Sequence, residues 1–209
     1  MPAPDGGSAH DDVPAPNTEE QILIDVQSTV GALPGVVAGA RGLSHLGEHA
    51  LGWMGLAAAG AAVAAYRHDD DARRAFVEAG IGAFGAHAAS VVIKRIVRRR
   101  RPHHPQIRVG VGTPSKLSFP SSHATSTTAA AILLGRALAT GEARGLRRLA
   151  PIAVPAALVP PMLASRLVLG VHYPSDVAAG ALIGALGAGA VVAADKLYTD
   201  RPAPSASTK

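Results

Sequence analysis

The segment that contains Arg166, His172 and Asp176 combines side chains that could carry out nucleophilic chemistry. Pro174 stands where a helix would begin, because proline fits the first helical position. His172 and Asp176 are four residues apart at this helix start, so the carboxylate can reach an imidazole nitrogen. Such a contact fixes the tautomer and leaves the other ring nitrogen free as a nucleophile or base. Arg166 would add a planar, permanently charged group suited to phosphate oxygens. In isolation, a loop with an incidental contact between histidine and aspartate explains these residues equally well.

A second segment, Pro120-Ser121-Ser122-His123, stands directly before a helical stretch. Ser121 is predicted to be the N-cap of that helix. The start of a helix presents free backbone N–H groups and the positive end of the dipole, which together form an anion site. His123 falls in the first turn and could donate a proton to a leaving oxygen. Taken alone, the segment is better explained as an ordinary cap followed by a surface histidine.

A third segment is strongly basic and runs from Lys94 to Arg101, followed by Pro102. Lys94 and Arg101 are seven residues apart, two helical turns, so a continuous helix would place them on one face. Pro102 is predicted to end the helix at Arg101. The alternative is a positive flank that anchors a helix at lipid headgroups. Nucleic-acid binding is disfavoured, since no aromatic side chains alternate with the arginines.

Five long apolar stretches must position these segments, at residues 46–66, 75–96, 121–139, 149–163 and 175–197. Most approach the roughly 20 residues that cross a bilayer as a helix, whereas prolines break the fourth. Two shorter helices are expected before them, one starting at Thr18 and one over residues 34–44. The predicted fold class is all-α, an integral-membrane helical bundle of about five spans with N-terminal interfacial helices. A soluble bundle of alanine-rich helices is the alternative.

Several polar and small residues inside the apolar stretches carry further information. Glu48, His49 and His87 are ionisable groups, which in a membrane face a bundle interior or a polar cavity. Hydrogen bonding between helices is their expected role, and a place in the cavity is the alternative. Gly180 and Gly184 have the four-residue spacing that allows close contact between helices.

The composition agrees with membrane helices that act on an anionic partner. The 209 residues are 48% hydrophobic but only 3% aromatic, and the formal net charge is +5. Phosphate, anionic lipid and nucleic acid are the partners that such a charge allows. The absence of Cys excludes disulfides and thiolate metal sites. Segments 1–17 and 199–209 are predicted to be disordered tails, which leaves one domain over residues 18–198.

The order of the three segments along the chain predicts that they meet in space. Each lies at a helix end that borders one of two connections, and in a serial bundle these connections share one membrane face. Lys94, Arg101 and Arg166 would then surround an anion at a helix start, with two histidines beside it. Phosphoryl transfer needs these parts: stabilisation of charge, an in-line nucleophile and an acid for the leaving group.

At this point the sequence resembles the type 2 phosphatidic acid phosphatases, also called lipid phosphate phosphatases. Their signature is K-x6-R-P, then P-S-G-H, then S-R-x5-H-x3-D, and the likeness covers about residues 75–197. One departure is Ser122, where the family pattern has glycine. The chain is short for the family, so fewer than its usual six spans, or a re-entrant segment, are expected.

The resemblance implies a role for each matched position. It implies that His172 attacks phosphorus, that Asp176 orients His172, and that His123 protonates the leaving alkoxide. It further implies that the phosphate is held by Lys94, Arg101, Ser121, Ser122 and Arg166. No metal and no other cofactor is expected. The family's site also occurs in vanadate-dependent haloperoxidases, but those are long soluble proteins and fit this chain poorly.

The substrate is less well defined by the sequence. A membrane-embedded site favours a lipid phosphate monoester, hydrolysed through a phosphohistidine. Segments such as RGLSHLGEHALGW and SFPSSHATSTTAAA resemble small bacterial phosphatases that act on decaprenylphosphoryl-5-phosphoribose in the synthesis of cell-wall arabinan precursors. Undecaprenyl pyrophosphate, phosphatidylglycerol phosphate and phosphatidic acid are rival substrates. A membrane protein that binds anionic lipid without catalysis is the alternative from another class.

The membrane orientation depends on arginines at both ends of the bundle. Discounting those needed for phosphate, the positive-inside rule favours an extracytoplasmic active site. The resemblance favours the same side, in a protein that crosses the cell membrane several times.

Overall fold

The computed structural model of the chain describes residues 14–140 and 145–200, and within these ranges the secondary structure is helical apart from one isolated β-bridge between Arg100 and Leu117. These ranges contain seven α-helices: α1 (Thr18–Ser28), α2 (Val36–Leu46), α3 (Leu51–Tyr66), α4 (Asp70–Val97), α5 (Ser122–Leu138), α6 (Ala150–Val168) and α7 (Pro174–Thr199). Short 3₁₀ turns precede α3 (Glu48–Ala50) and α6 (Gly145–Leu149). Residues 1–13 and 201–209 of the predicted tails lie outside the described ranges.

Local sequence explains where the helices start. Asn17 caps α1 by accepting hydrogen bonds from the N–H groups of Glu19 and Glu20, and the Glu20 carboxylate accepts from the N–H of Asn17. This reciprocal arrangement satisfies donors that have no partner inside the helix. Ser121 caps α5 as predicted, and Pro174 is the first residue of α7.

Helix α5 is the centre of the bundle and packs against α4, α6 and α7. Small residues allow the close approach of α7. A Cβ atom added to Gly184 would lie 2.3 Å from the carbonyl oxygen of Thr125, and one added to Gly180 would lie 2.7 Å from that of Ser121. The predicted close contact through these two glycines is therefore confirmed.

The outer surface of the bundle is apolar. Large aliphatic side chains such as Ile81, Ile152, Leu182 and Leu186 are exposed, as expected of helices that face lipid. Among the described residues, three helical segments are long and apolar enough to cross a membrane, at Asp70–Val97, Arg147–Val168 and Pro174–Thr199. Helices α3 and α5, with 16 and 17 residues, are shorter. The predicted all-α membrane bundle is confirmed, with three of the five expected stretches reaching spanning length.

The fourth stretch differs from its prediction, because α6 continues without a break. Its interior contains Pro155, Pro160 and Pro161, and the helix still runs from Ala150 to Val168. Membrane helices tolerate proline because neighbouring helices and local adjustments satisfy the backbone groups that proline frees.

The end of the bundle away from the three motif segments is joined by ion pairs. Arg136 on α5 pairs with Glu78 on α4 at 2.9 Å and also with Asp195 on α7. These contacts fix the relative positions of α4, α5 and α7 at this end. They therefore also constrain the opposite ends of the same helices, where the motif segments lie.

Candidate active site

A cavity of about 440 Å³ opens where the C-terminal ends of α4 and α6 meet the N-terminal ends of α5 and α7. The residues from the three motif segments that line it are Lys94, Arg101, Ser122, His123, Arg166 and His172. Two expected site residues are not on its wall. Ser121 and Asp176 are completely buried behind it.

His172 lies in the short loop before α7 and is held from two sides. Its Nδ1 is 3.6 Å from Oδ2 of Asp176, which also accepts a hydrogen bond from the N–H of Tyr173 at 2.8 Å. Its Nε2 is 3.2 Å from Nη1 of Arg101. A guanidinium can only donate, so Nε2 carries the lone pair and the hydrogen is on Nδ1, facing the carboxylate. Burial, supported by the nearby charge of Arg101, lowers the pKa of His172 to about 3. The ring is therefore neutral at physiological pH, as a nucleophile must be.

Arg101 reaches the cavity by a route that differs from the prediction. Helix α4 ends at Val97, and Arg98 adopts a left-handed conformation with φ of 55° while its N–H still bonds to the carbonyl of Lys94. The expectation of a helix up to Arg101 with Lys94 on the same face is therefore wrong. Arg101 instead donates from an extended segment to the carbonyls of Ser115 (2.8 Å) and Val171 (2.6 Å). Burial lowers the pKa of Arg101 to about 10, so it stays charged.

Arg166, at the end of α6, is a buried cation with unused hydrogen-bonding capacity. Its side chain is 1% exposed, and Nη1 donates to the hydroxyl of Ser44 at 3.0 Å. Its Nε is buried and has no hydrogen-bond partner among residues 14–140 and 145–200. A buried donor without a partner costs free energy unless something satisfies it. An anion in the adjoining cavity would do so.

His123 lies in the first turn of α5 against the end of α2. Its Nε2 is 3.0 Å from the carbonyl oxygen of Ser44, and this nitrogen carries hydrogen, since a carbonyl can only accept. Gly47 packs on the ring so closely that an added Cβ would lie 2.9 Å from Cδ2 of His123. The ring is thus fixed in position, with Ser44 as the link between His123 and Arg166.

Lys94 organises the loop that leads into α5. Its three hydrogens point to the carbonyl oxygens of Leu117, Ser118 and Pro120, at 3.2, 3.1 and 2.9 Å. An ammonium has three donors, so a phosphate oxygen would replace one of these carbonyls. Lys94 therefore brings a positive charge to the cavity and also fixes the loop that ends in Pro120.

The two serines of the Pro-Ser-Ser-His segment differ in position. The hydroxyl of Ser121 accepts from the N–H of Ala124 at 3.4 Å, as an N-cap. Ser122, the departure from the family pattern, lines the cavity, and its hydroxyl lies 2.8 Å from that of Ser90 on α4. The extra hydroxyl is thus accommodated between α4 and α5.

Arg99 and Glu19 form a clasp around Asp176 that the sequence did not reveal. Nη1 of Arg99 donates to Oδ1 of Asp176 at 3.0 Å and to the hydroxyl of Ser175 at 2.6 Å. Arg99 also pairs with Glu19 of α1, whose other carboxylate oxygen accepts from the N–H of Ser175 at 2.9 Å. The guanidinium lies 4.1 Å from the centre of the Tyr173 ring.

The electrostatics of this clasp favour the charged forms. Burial opposes ionisation of Glu19, but hydrogen bonds from Ser175 and Arg99 lower its pKa below the ordinary value. Burial likewise opposes the charge on Arg99, whereas Glu19 and Asp176 raise its pKa. No local pattern could have identified the pair, because Arg99 is one of four consecutive arginines and Glu19 lies 80 positions before it. The fork of Arg99 therefore holds the carboxylate that faces His172.

The arrangement as a whole can bind an anion and act on it. A neutral imidazole with its lone pair towards the cavity, two guanidinium groups, a helix start and a second imidazole surround the same space. These are the components of acyl or phosphoryl transfer by a histidine nucleophile, and the cationic lining favours phosphate.

Comparisons with known proteins agree with this chemistry. Residues 75–205 match the PAP2 superfamily. The chain is 56% identical over 166 residues to the decaprenylphosphoryl-5-phosphoribose phosphatase of Mycolicibacterium smegmatis, which covers 79% of this chain and 83% of that protein. It is 54% identical over 178 residues to the protein of the same name from Mycobacterium tuberculosis, with 85% and 90% covered. The fold is similar to the crystal structure of a transmembrane PAP2 type phosphatidylglycerolphosphate phosphatase from Bacillus subtilis, with a TM-score of 0.69, 21% identity and 90% of each chain covered.

Proposed function

Because the chain belongs to the PAP2 superfamily, we propose that it removes the 5-phosphate of decaprenylphosphoryl-5-phosphoribose through a phosphohistidine formed on His172. The chain is a phosphoric monoester hydrolase built as a membrane bundle. The observation that carries the mechanism is the convergence of His172, Arg101, Arg166 and His123 on one cavity. The choice of substrate is supported by the identity of 54% and 56% to proteins with this activity in their names.

In the first half of the reaction, Arg101 moves from Nε2 of His172 to an oxygen of the arriving phosphate. The lone pair on Nε2 is then free to attack phosphorus, while Asp176 stabilises the positive charge that develops on the ring. Arg101 and Arg166 stabilise the equatorial oxygens. As the bond between phosphorus and the ribose oxygen breaks, His123 in its imidazolium form donates a proton to the leaving alkoxide. The dianion favours this protonated form of His123.

In the second half, water enters and attacks the phosphohistidine. Neutral His123 accepts a proton from the attacking water, the bond between phosphorus and Nε2 breaks, and inorganic phosphate leaves. His172 returns to its neutral form with hydrogen on Nδ1 facing Asp176. One water is consumed, and the products are the dephosphorylated lipid-linked ribose and phosphate.

The decisive experiment measures phosphate release by the purified protein in detergent with decaprenylphosphoryl-5-phosphoribose and each rival lipid phosphate. We expect the highest kcat/KM with the ribose substrate and a loss of about 1,000-fold or more in His172→Ala. His103→Ala is the matched control, since this exposed histidine lies on the same face but outside the catalytic cavity. Phosphate labelled with ³²P should be trapped on the wild-type chain in an acid-labile, alkali-stable form.

Each competing hypothesis gives a different result in this assay. Faster turnover of undecaprenyl pyrophosphate, phosphatidylglycerol phosphate or phosphatidic acid would overturn the choice of substrate. Full activity of His172→Ala would overturn the nucleophile. Binding of anionic vesicles with no phosphate release from any lipid would favour a protein that only binds lipid through Arg98 to Arg101.

We further propose that the cavity opens on the extracytoplasmic side of the cell membrane. Arg67, Arg73, Arg74, Arg147 and Arg148 lie near the opposite helix ends, where the positive-inside rule places cytoplasmic charge; Arg144 lies outside the described residues. The chain has no Cys, so a single introduced thiol reports its own location. In intact cells, a membrane-impermeant maleimide should label Lys116→Cys and leave Asp71→Cys unlabelled, and the reverse pattern would refute this orientation.

A further inference from the structure

The turn between α2 and α3 has an unusual backbone and faces the catalytic cavity. His49 and Ala50 are consecutive non-glycine residues with φ of 51° and 60°. Such conformations are unfavourable and persist where the surrounding structure determines them, often at functional sites. Here the conformation places Glu48 and His49 on the cavity wall together with His45 at the end of α2.

This turn lies deeper in the bundle than the phosphate-binding groups. Helices α3 and α4 run antiparallel, and the ring of His49 is 5.8 Å from that of His87 on α4. His87 precedes Lys94 by seven residues, which corresponds to about 10 Å along the helix axis. Ionisable groups at such depth in a membrane bundle are costly and mark a path for a polar substrate group.

The same turn adjoins the histidine that serves the leaving group. Gly47 packs on the ring of His123, and the carbonyl of Ser44 bonds to it. Whatever is attached to the leaving oxygen must therefore lie beside residues 44–49. In the proposed substrate that part is the ribose, whose lipid-linked end continues towards the membrane interior.

The polar groups of the turn have unused hydrogen-bonding capacity. The Glu48 side chain is 52% exposed, and its carboxylate oxygens lie 3.9 Å from Nδ1 of His45 and 4.0 Å from Nδ1 of His49, longer than a hydrogen bond. Nδ1 of His87 is buried and has no hydrogen-bond partner in the part of the chain that the structure describes. Both carboxylate oxygens and this ring nitrogen are thus available to a ligand.

We propose that Glu48, with His49 and His87, forms a subsite for the vicinal hydroxyl groups of a pentose in the leaving group. The proposal rests on the proposed function, and it adds the residues that bind the sugar. Two adjacent hydroxyls can donate to the two oxygens of one carboxylate, the same chemistry by which an acidic residue binds ribose in dinucleotide-binding folds. Phosphatidic acid and undecaprenyl pyrophosphate carry no vicinal diol beside the phosphate, so they gain nothing from this subsite.

The test compares Glu48→Ala with wild type on two synthetic substrates, farnesylphosphoryl-ribose 5-phosphate and its 2-deoxyribose counterpart. Loss of a hydrogen bond to a charged group corresponds to roughly 10- to 100-fold in kcat/KM. We expect wild type to prefer the ribose substrate by about this factor, and Glu48→Ala to reduce the preference to less than about threefold. Asp71→Asn, an exposed carboxylate at the far end of α4, is the matched control and should keep the wild-type preference.

The ratio between two substrates does not depend on the fraction of folded enzyme, so a partly unfolded variant still gives an answer. A wild-type preference that persists in Glu48→Ala would overturn the subsite and leave the proposed function intact. Equal losses on both substrates would also overturn it, because they indicate a structural role for the turn. If wild type acts faster on lipid phosphates without ribose, the proposed function itself is wrong.

Discussion

Replacement of Arg99 tests whether the clasp around Asp176 contributes to catalysis. Its hydrogen bond to Oδ1 of Asp176 joins two charged groups, and such bonds contribute about 1.5–3 kcal/mol. The Arg99 side chain is 31% exposed, so solvent screening reduces this to roughly 1–1.5 kcal/mol. Arg99→Ala should therefore lower kcat by about 5- to 15-fold. KM should change little, because Arg99 does not line the cavity.

The assay is phosphate release at saturating and subsaturating substrate, which separates kcat from KM. Arg98→Ala removes the same charge from an exposed neighbour and is expected to retain wild-type kcat. Glu19→Gln should lower kcat by about two- to threefold. The double variant of Glu19→Gln and Arg99→Ala should have the same kcat as Arg99→Ala alone, since the two residues act through one network. A kcat of Arg99→Ala within twofold of wild type, or a loss confined to KM, would refute the reasoning.

Three further perturbations follow from the packing and charge of the site. Gly47→Ala should displace the ring of His123, the proposed acid for the leaving group, and reduce kcat by about 10- to 100-fold, whereas Gly39→Ala, with open space around it, should leave turnover unchanged. Gly184→Val should lower the free energy of unfolding by about 1–3 kcal/mol or more through overpacking against α5. Thermal denaturation in detergent should show this loss for Gly184→Val and no such loss for Gly189→Ala. The free energy of unfolding of wild type relative to His172→Gln should decrease by about 2 kcal/mol between pH 7 and pH 5, because the pKa of His172 falls from 6.5 to about 3 on folding. Thermal denaturation at each pH measures this difference.

The sign of the pH effect follows from proton binding in each state. Above pH 6.5 the ring is neutral in both folded and unfolded chains, so stability does not depend on its protonation. Below pH 6.5 the unfolded chain takes up a proton that the folded chain excludes, which costs about 1.4 kcal/mol per pH unit until the folded pKa near 3 is reached. An unchanged difference between wild type and variant over this range would contradict the buried, neutral imidazole.

The helices and the placement of the motif residues could be anticipated because each depends on local signals. Apolar stretches, the cap at Ser121, the proline at position 174 and the spacing of Gly180 and Gly184 all act within a few turns of the chain. Motif spacing also brought His172 and Arg166 to the same membrane face. The end of α4 could not be located, since the left-handed turn at Arg98 replaces the stop expected from the proline at position 102.

The remaining site contacts could not be anticipated because they join distant parts of the chain. Ser44 meets Arg166 across 122 positions, and Glu19 meets Ser175 across 156. Such pairs depend on how the short N-terminal helices rest on the bundle, and no periodicity in the sequence encodes that position. Glu19 lies in the first turn of α1, where the helix dipole alone favours a carboxylate, so its contacts with Arg99 and Ser175 had no signal of their own in the sequence.

The contact between Glu19 and Ser175 means that the first and last helices of the described bundle complete one site. During synthesis at the ribosome, Lys94 and Arg101 emerge first. His172, the proposed nucleophile, arrives only with the final hairpin, together with Arg166 and the Val171 carbonyl that holds Arg101. A nascent chain would therefore lack a complete phosphate site until that hairpin inserts. Cutting the connection between α5 and α6, at the end remote from the chemistry, would give two inert fragments. Enzymatic activity would return only when the fragments associate in the membrane, so hydrolysis could serve as a readout of bundle assembly.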